Sequence, residues 1–468
     1  MKRVVVSNRV PTPGDPPTGG LSVALLDALA GGSGLWFGWN GGAPEPRAEP
    51  ATQHHDGIDF ATLPLDEDDY DGYYRGFSNG VLWPLFHGRL EAMTHDWEAR
   101  RTYDDVNRYF ADHLAPRLCR TDVVWVQDYH LIPLGQELRA RGFEGRLGFF
   151  LHTPFPPYEV LRALPEWAVL FDCFRAYDLV GFQTEHDMRH FADTAERRPG
   201  ATLSSRADHL DWGGRSVEFG AFPVGIDIDE TARIAAKSTD TDDARALLDF
   251  ADGRPLIVGA DRLDYTKGLV QRVKAFEKLL TDEEHHGPDP VCVQVAAPSR
   301  TGVDEYRQLA ERLQQEAGRI NARHNRPDFN PIRLIGRSLP RSTVLGFFSI
   351  ADVGLVTPVR DGMNLVAKEY IAAQPVDDPG VLVLSTLAGA AEELADVAVL
   401  VNPYDLDGVA DGLRTALAMP LPERRRRHAL GLRTLRCTTA EDWWNRFLER
   451  LRAPRPSSRP WSSSHPAA

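Results

Sequence analysis

Cysteine and lysine are both scarce in this chain of 468 residues, which contains four cysteines and six lysines. The cysteines stand far apart, at positions 119, 173, 292 and 437, and this spacing fits neither a zinc site nor a redox pair. The net charge of -14 removes any general attraction to nucleic acid or to an anionic membrane. No apolar run reaches membrane-spanning length, and the first one ends at Ser7, too early for a signal peptide. We therefore expect a cytoplasmic protein that holds any anionic ligand with local cations.

The composition, with 42% hydrophobic and 26% charged residues, is typical of a globular protein. The chain is longer than a domain with a single hydrophobic core usually is. Strand-like runs alternate with amphipathic helical stretches in two series, which open with "RVVVS" and with "PLIVGA". This alternation predicts an α/β protein of two doubly wound domains, with "EFGAFPVGIDIDE" as the crossing between them. Two such domains facing each other would bind ligands in a common cleft, at the carboxyl ends of their strands.

The stretch "TPVRDGMNLVAKEY", residues 357–370, is a charged turn between a predicted strand and a predicted helix. The first turn of that helix leaves backbone N–H groups for a phosphate, and Glu369 further along can accept hydrogen bonds from ribose hydroxyls. A capped helix with a surface aspartate explains the same letters equally well. The residues of this segment leave both interpretations open.

A second strand-end loop, "GADRLDYTKG", brings Arg262 and Lys267 near a glycine. An arginine fork and a lysine five residues apart can hold a diphosphate and stabilise the charge that develops as it leaves. The alternative is a salt bridge from these cations to Asp261 or Asp264. Because lysine is so rare here, Lys267 and Lys368 are both candidate ligands, and two strand-end loops that share one ligand favour a functional interpretation.

The first series of strands offers matching parts. Arg9 stands at the end of a strand, where its cation faces the expected cleft. A Gly-Pro loop follows, and a helix starts after Gly19 and Gly20; this loop suits phosphate but is neither a dinucleotide nor a Walker motif. Asp128 and His152 each follow a strand, and they can bind sugar hydroxyls through side chain or backbone. His130 is predicted to be structural. The aromatic residues of this series, Tyr74 and Trp83, are predicted from the residues alone to pack in the core.

Metal binding is not predicted anywhere in the chain. Asp66 and Asp68 form an Asp-x-Asp pattern, but they lie in an acidic run that suits a solvated loop. The histidine pairs at 54–55 and 285–286 lie in polar loops and lack a metal-binding set.

Taken in order, these segments resemble the trehalose-6-phosphate synthases, retaining glycosyltransferases of family 20 with the GT-B fold. The motifs that carry the resemblance span the chain up to about Leu451 and include "VVVSNRV", "GGLSVAL", "VLWPLFH", "QDYHLIP", "GFFLHTPFPP", "RLDYTKG", "VTPVRDGMNLVAKEY" and "VNPYD". One departure is Gln127, which stands where relatives often have histidine and puts a neighbouring contact in doubt.

The resemblance implies a role for each candidate residue. For the nucleotide-sugar donor, the implied residues are Gly20, Arg262, Lys267, Asp361, Gly362, Met363, Asn364, Leu365 and Glu369. For the acceptor sugar phosphate they are Arg9, Tyr74, Trp83, Asp128 and Arg300. Asp128, His152, Arg262, Lys267 and Asp361 would surround the reacting atoms, with His152 on the transferred glucose and Asp361 on its hydroxyls.

The implied reaction is the transfer of glucose from a nucleoside-diphosphate glucose to glucose 6-phosphate, giving α,α-trehalose 6-phosphate with no metal and no cofactor. UDP-glucose is the default donor, and GDP-glucose remains a candidate. Residues 1–223 would bind the acceptor and 224–440 the nucleotide sugar, with 441–452 a helix returning to the first domain and 453–468 a flexible tail. A homo-oligomer is compatible with the sequence. The alternatives are a pseudo-glycosyltransferase that couples cyclitols, a phosphorylase that uses pyridoxal phosphate, and a non-catalytic sensor of sugar phosphate.

Overall fold

The computed structural model of this protein describes residues 2–14, 20–29, 34–204, 208–281, 287–299 and 304–453. The chain separates into two compact units. One unit runs to Pro223 and takes up the chain again at Glu441, and the other comprises Val224–Ala440. Among the described residues, no helix combines the length and the hydropathy that crossing a membrane requires.

Both units contain strands and helices, and helices follow most of the parallel strands. The strands are β1 (Arg3–Arg9), β2 (Gly34–Trp39), β3 (Ala51–His55), β4 (Ile58–Leu63), β5 (Val123–Gln127), β6 (Arg146–Phe150), β7 (Leu179–Phe182), β8 (Ala201–Leu203), β9 (His209–Trp212), β10 (Arg215–Ala221), β11 (Leu256–Arg262), β12 (Val291–Ala297), β13 (Ile332–Ile335), β14 (Val353–Val356), β15 (Val381–Ser385) and β16 (Val399–Val401). The α-helices are α1 (Gly20–Leu29), α2 (Glu67–Asp69), α3 (Trp83–Phe86), α4 (Trp97–Leu114), α5 (Leu134–Ala140), α6 (Tyr158–Leu161), α7 (Trp167–Asp172), α8 (Glu185–Glu196), α9 (Ile228–Ser238), α10 (Asp242–Ala251), α11 (Leu269–Leu280), α12 (Asp304–His324), α13 (Arg341–Ser349), α14 (Leu365–Ala373), α15 (Ala390–Leu394), α16 (Leu406–Leu417), α17 (Leu421–Arg436) and α18 (Ala440–Arg452).

The sheet of the first unit has the strand order β3-β4-β2-β1-β5-β6-β7-β10-β9-β8. Neighbouring strands from β4 to β10 are parallel, and antiparallel strands close both edges. The β3–β4 hairpin turns at Asp56 and Gly57, whose φ angles of 47° and 80° suit a two-residue turn. The expectation that His54 and His55 lie in a loop is therefore wrong: both lie in β3, an exposed edge strand.

The sheet of the second unit has the order β13-β12-β11-β14-β15-β16, and its described strand pairs are parallel. Successive residues of each strand point to opposite faces of this sheet, and helices cover both faces. Leu355 of β14 belongs to a buried cluster that includes Phe276 of α11 and Leu413 of α16. At the preceding position, a Cβ on Gly354 would lie 2.5 Å from the ring of Tyr370 in α14. The core is thus doubled, one layer on each side of the sheet.

The last described helix, α18, packs on the sheet of the first unit. Phe447 stacks on Trp125 of β5 at 4.7 Å between ring centroids. Its ring lies over two strand glycines, because a Cβ on Gly148 would be 2.8 Å from it and a Cβ on Gly181 would be 2.7 Å from it. Glycine inside a strand weakens the strand, and here it provides the space that the helix needs.

Replacing Gly181 with alanine is expected to destabilise the first unit by roughly 1–3 kcal/mol, because the new Cβ would overlap the Phe447 and Phe150 rings. Denaturant unfolding followed by tryptophan fluorescence measures this change. The control is Gly318→Ala on α12, where a Cβ meets nothing within 4 Å and should stabilise the helix by up to about 1 kcal/mol. An unchanged midpoint for Gly181→Ala would show that α18 does not need this space.

Candidate functional site

The two strand-end loops of the second unit meet through an ion pair between Lys267 and Asp361. Lys267 Nζ lies 2.5 Å from Asp361 Oδ2, and both side chains are largely buried. The loops also join through their backbones, since Val359 N donates to Thr266 O at 2.8 Å. Their strands, β11 and β14, are parallel neighbours, so their carboxyl ends lie at one edge of the sheet. The fold therefore brings together a cation and a carboxylate that are 94 residues apart.

Arg262 has a different environment from Lys267. Its side chain is half exposed, and its Nη2 lies 3.7 Å from Oδ2 of the buried Asp264. Asp264 also accepts from Thr266 N at 3.0 Å, which caps the turn before Lys267. Asp261 pairs instead with Arg272 at 2.9 Å. Among the described residues, the structure thus contains one of the salt bridges considered as an alternative, a long Arg262–Asp264 contact.

Asn364 holds the second loop in a strained shape. Its φ of 81° lies in the left-handed region that non-glycine residues seldom adopt. The side chain explains the conformation: Nδ2 donates to Asp361 Oδ2 at 3.0 Å, and Oδ1 accepts from Ala367 N at 3.2 Å as the N-cap of α14. Strain of this kind persists where surrounding contacts over-determine it, often at functional sites. Gly362 and Met363 lie between Asp361 and Asn364, and Leu365 begins α14.

Glu369 lies one turn into α14 and is held by Arg341 of α13. Arg341 Nε donates to Glu369 Oε1 at 2.9 Å, and Arg341 Nη2 donates to Thr231 Oγ1 at 2.9 Å. Burial raises the pKa of Glu369, and the Arg341 guanidinium opposes that rise. The hydrogen bond from Arg341 orients the Glu369 carboxylate.

Lys368, the neighbour of Glu369, points into the protein. Its side chain is fully buried, and Nζ donates to Val224 O at 2.8 Å and to the carboxylate of Glu393. Burial lowers the pKa of Lys368, while Glu393 opposes the change. Glu393 also accepts from Thr438 Oγ1 at 2.7 Å. Lys368 thus has a structural role, and its candidacy as a ligand is not supported.

In the first unit, Asp128 and His152 occupy the ends of the parallel neighbours β5 and β6. Asp128 has a φ of 73°, although it is not glycine. Its backbone N donates to Phe150 O at 2.7 Å, and its Oδ1 accepts from His152 N at 3.2 Å. These bonds hold the carboxylate beside the His152 backbone.

The His152 ring lies between two glutamine side chains. Its Nε2 is 2.9 Å from Gln127 Oε1, and its Nδ1 is 3.2 Å from Gln183 Nε2. Burial lowers the pKa of His152 to about 3, so the ring is neutral at ordinary pH. Gln127, the departure noted in the sequence, therefore has a direct contact with a predicted site residue.

Arg9 is exposed at the carboxyl end of β1 and lies across Gly41, where an added Cβ would be 2.0 Å from Arg9 Nε. Gly41 has a φ of 68°, which favours glycine. Gly20 is the first residue of α1. Arg300 lies outside the described residues.

The predicted aromatic residues lie close to the same end of the first unit's sheet. Tyr74 lies on a π-helical segment, Tyr70–Leu82, and its ring is parallel to that of His130 at 6.2 Å. Trp83 is the first residue of α3, is buried, and contacts His87 with a ring separation of 4.1 Å. His130 is buried, in line with its predicted structural role.

Comparison with known proteins identifies the family. The sequence model of the family described as Glycosyltransferase family 20 matches residues 3–453 of this chain. The chain belongs to glycosyltransferase family 20. A trehalose-6-phosphate synthase of Sinorhizobium fredii is 42% identical over 456 residues, which cover 96% of this chain and 98% of the relative.

Solved structures agree with this family-20 assignment. An alpha,alpha-trehalose-phosphate synthase (UDP-forming) from Burkholderia xenovorans in complex with glucose-6-phosphate has a TM-score of 0.92 at 42% identity, covering 97% of this chain and 100% of that one. An E. coli structure, described as trehalose-6-phosphate bound with UDP-2-fluoro glucose, has a TM-score of 0.93 at 41% identity, covering 98% and 100%. The predicted α/β GT-B class, with two Rossmann-like domains, is confirmed.

Sequence reasoning about this family-20 chain missed three polar side chains, Arg272, Arg341 and Gln183, that hold predicted site residues. Gln183 ends the predicted strand "DLVGFQ", but its side chain was not singled out as a site residue, and neither were Arg272 and Arg341.

The Asp-x-Asp pattern also differs from the expectation. Asp66 is not in a plain loop, because its Oδ1 accepts from Asp69 N at 2.8 Å and caps α2. Across the described part of the chain, no group of three or more histidine, cysteine or acidic residues is arranged to hold a metal ion.

Proposed function

We propose that this family-20 enzyme is a trehalose-6-phosphate synthase. It transfers glucose from UDP-glucose to the anomeric oxygen of glucose 6-phosphate, retains the α configuration, and forms α,α-trehalose 6-phosphate. The observation that carries the proposal is the Lys267–Asp361 pair, 2.5 Å apart at neighbouring strand ends. One partner suits a phosphate and the other suits sugar hydroxyls, which are the two parts that meet in a nucleotide sugar.

In the second unit, the donor diphosphate is bound by Arg262 and Lys267. An ammonium group has three donors, so Lys267 can keep Asp361 and still reach a phosphate oxygen. Asp361 accepts hydrogen bonds from hydroxyls of the transferred glucose, and Glu369, oriented by Arg341, accepts from the ribose. The backbone of residues 362–365 contributes N–H groups to the phosphates. The family resemblance also assigns Gly20, a residue of the first unit, to the donor.

In the first unit, the acceptor is bound by residues at the carboxyl ends of the strands. Arg9 binds the 6-phosphate. The family resemblance also assigns this phosphate to Arg300, which lies in the second half of the chain and outside the described residues. Tyr74 borders the same phosphate, and Trp83 lines the acceptor pocket. Asp128 orients the acceptor sugar, and His152 contacts the transferred glucose.

The reaction needs no protein nucleophile. The anomeric hydroxyl of the acceptor attacks the donor's anomeric carbon on the face from which the diphosphate departs, and a leaving phosphate oxygen accepts its proton. Arg262 and Lys267 stabilise the negative charge that grows on the diphosphate, in a preorganised arrangement that costs little reorganisation. Protein cations thus supply the charge neutralisation.

The donor preference tests the proposal. Initial rates with UDP-, GDP- and ADP-glucose at equal concentrations, each with glucose 6-phosphate, are expected to be highest with UDP-glucose and unchanged by a chelator. Proton NMR of the dephosphorylated product should show the α,α linkage. A preference for GDP-glucose would replace UDP-glucose as the assigned donor and leave the proposed reaction class unchanged. No transfer from any donor would refute the proposal, and loss of activity with chelator would refute metal independence.

The alternatives give different results in the same assays. A pseudo-glycosyltransferase would couple cyclitols and not glucose 6-phosphate, but Arg9, Tyr74, Trp83 and Asp128 favour the sugar phosphate. A phosphorylase with pyridoxal phosphate would show that cofactor's absorbance. A sensor would bind sugar phosphate without forming product.

A further inference from the structure

Three consecutive parallel strands of the first unit end in side chains that form one lateral row. Gln127 is the last residue of β5, His152 follows β6, and Gln183 directly follows β7. The three strands are neighbours in the sheet, so these ends lie side by side. Both glutamines are only 2% exposed, and they contact the imidazole from opposite sides at 2.9 and 3.2 Å.

The direction of these hydrogen bonds follows from the Trp125 carbonyl. Gln127 Nε2 donates to Trp125 O at 3.5 Å, which turns the amide oxygen of Gln127 toward His152. An oxygen there can only accept, so His152 Nε2 carries the proton and donates. His152 Nδ1 then has a lone pair and accepts from Gln183 Nε2. The row specifies the neutral Nε2–H tautomer.

If Nδ1 were protonated, its N–H and the amide N–H of Gln183 would face each other with no acceptor between them. The other rings in contact are apolar in character: Phe150 lies at 4.8 Å and Trp443 of α18 at 5.9 Å. Asp128 is a charged group beside His152, and its Oδ1 accepts from the His152 main-chain N–H. Burial acts in the same direction, because it lowers the pKa of His152.

We infer that Gln127 and Gln183 are positioning residues of the glycosyl-transfer site. They hold the His152 imidazole in one orientation and one neutral tautomer, so its contact with the transferred glucose keeps a single geometry at every working pH. The part of this inference that concerns catalysis rests on the proposed function. The part that concerns the tautomer does not.

The test replaces Gln183 with glutamate, which keeps the size of the side chain and replaces the donor at Nδ1 with a carboxylate. The carboxylate stabilises the imidazolium, so the His152 ring gains an ionisation near neutral pH. Full-length protein with ¹⁵N-labelled histidine is titrated by NMR, and the His152 signals are identified by their loss in His152→Asn. The expected result is a constant Nε2–H tautomer in the original protein from about pH 5 to 9, and a titrating ring in Gln183→Glu.

In the activity assay, Gln183→Glu should add an ionisation to the pH profile of kcat/KM and lower kcat/KM about tenfold on the acid side, because the ring is charged there and no longer in the neutral tautomer that the site holds. Gln136→Glu on α5 is the matched control, and neither measurement should change. Gln127→Glu, which also faces the ring with a carboxylate, gives a second variant if Gln183→Glu does not fold.

A His152 that titrates in the original protein, or a ring that stays neutral in both glutamate variants, would overturn the inference. If the original protein shows no transfer activity, the proposed function fails, and the nitrogen spectra still decide the tautomer.

Discussion

Lys267→Ala is expected to lower kcat and kcat/KM together by two to three orders of magnitude. The amine stabilises charge that grows only as the diphosphate leaves, and loss of one preorganised transition-state contact costs roughly 3 kcal/mol. Arg262→Ala should act in the same way, since its guanidinium is half exposed at the same strand end. Steady-state kinetics with both substrates varied measure the effect.

The matched control is Lys278→Ala on α11, a half-exposed lysine that pairs with Asp407 at 2.5 Å. Its activity should be unchanged. Lys267→Ala also leaves Asp361 without its lysine partner, so thermal unfolding must accompany the kinetics to separate a loss of folding from a loss of chemistry. Near-normal turnover in well-folded Arg262→Ala and Lys267→Ala would remove both residues from the proposed role.

Arg9→Ala is expected to raise the KM for glucose 6-phosphate about tenfold to a hundredfold and to narrow its advantage over free glucose. A hydrogen bond between charged groups contributes roughly 1.5–3 kcal/mol, and the proposed partner of Arg9 is the 6-phosphate. Arg300→Ala should behave alike, because the family resemblance implies the same partner for it. Rates measured with glucose 6-phosphate and with glucose provide the comparison.

The control is Arg120→Ala, an arginine of the same unit that is 82% exposed and pairs with Glu144. It removes an equal charge and should leave both acceptors unaffected. Weaker binding of UDP-glucose by Arg9→Ala, with acceptor affinity unchanged, would contradict the assignment of Arg9 to the acceptor.

The predicted donor residues illustrate what the sequence determined by itself. Alternating strand and helix patterns predicted parallel sheets, and in such sheets a residue that follows a strand lies at the carboxyl edge. That rule predicted Lys267 and Asp361 at the strand ends where such sheets bind ligands, and the ordered motifs identified the family. Both inferences use only local pattern and order along the chain, which a sequence records directly.

Only the tertiary structure decided which side chains meet. Lys267 takes Asp361 as its partner and not Asp264, and Lys368, an equal suspect by rarity, turns inward to Glu393. His152 likewise contacts Gln183, whose strand was predicted but whose side chain was not singled out. These partners are 25 to 94 residues apart in the sequence, and they meet because their strands and helices pack side by side. A local sequence pattern does not show which distant residues will be neighbours in space. The type of chemistry was therefore predictable, and the partner of each side chain was not.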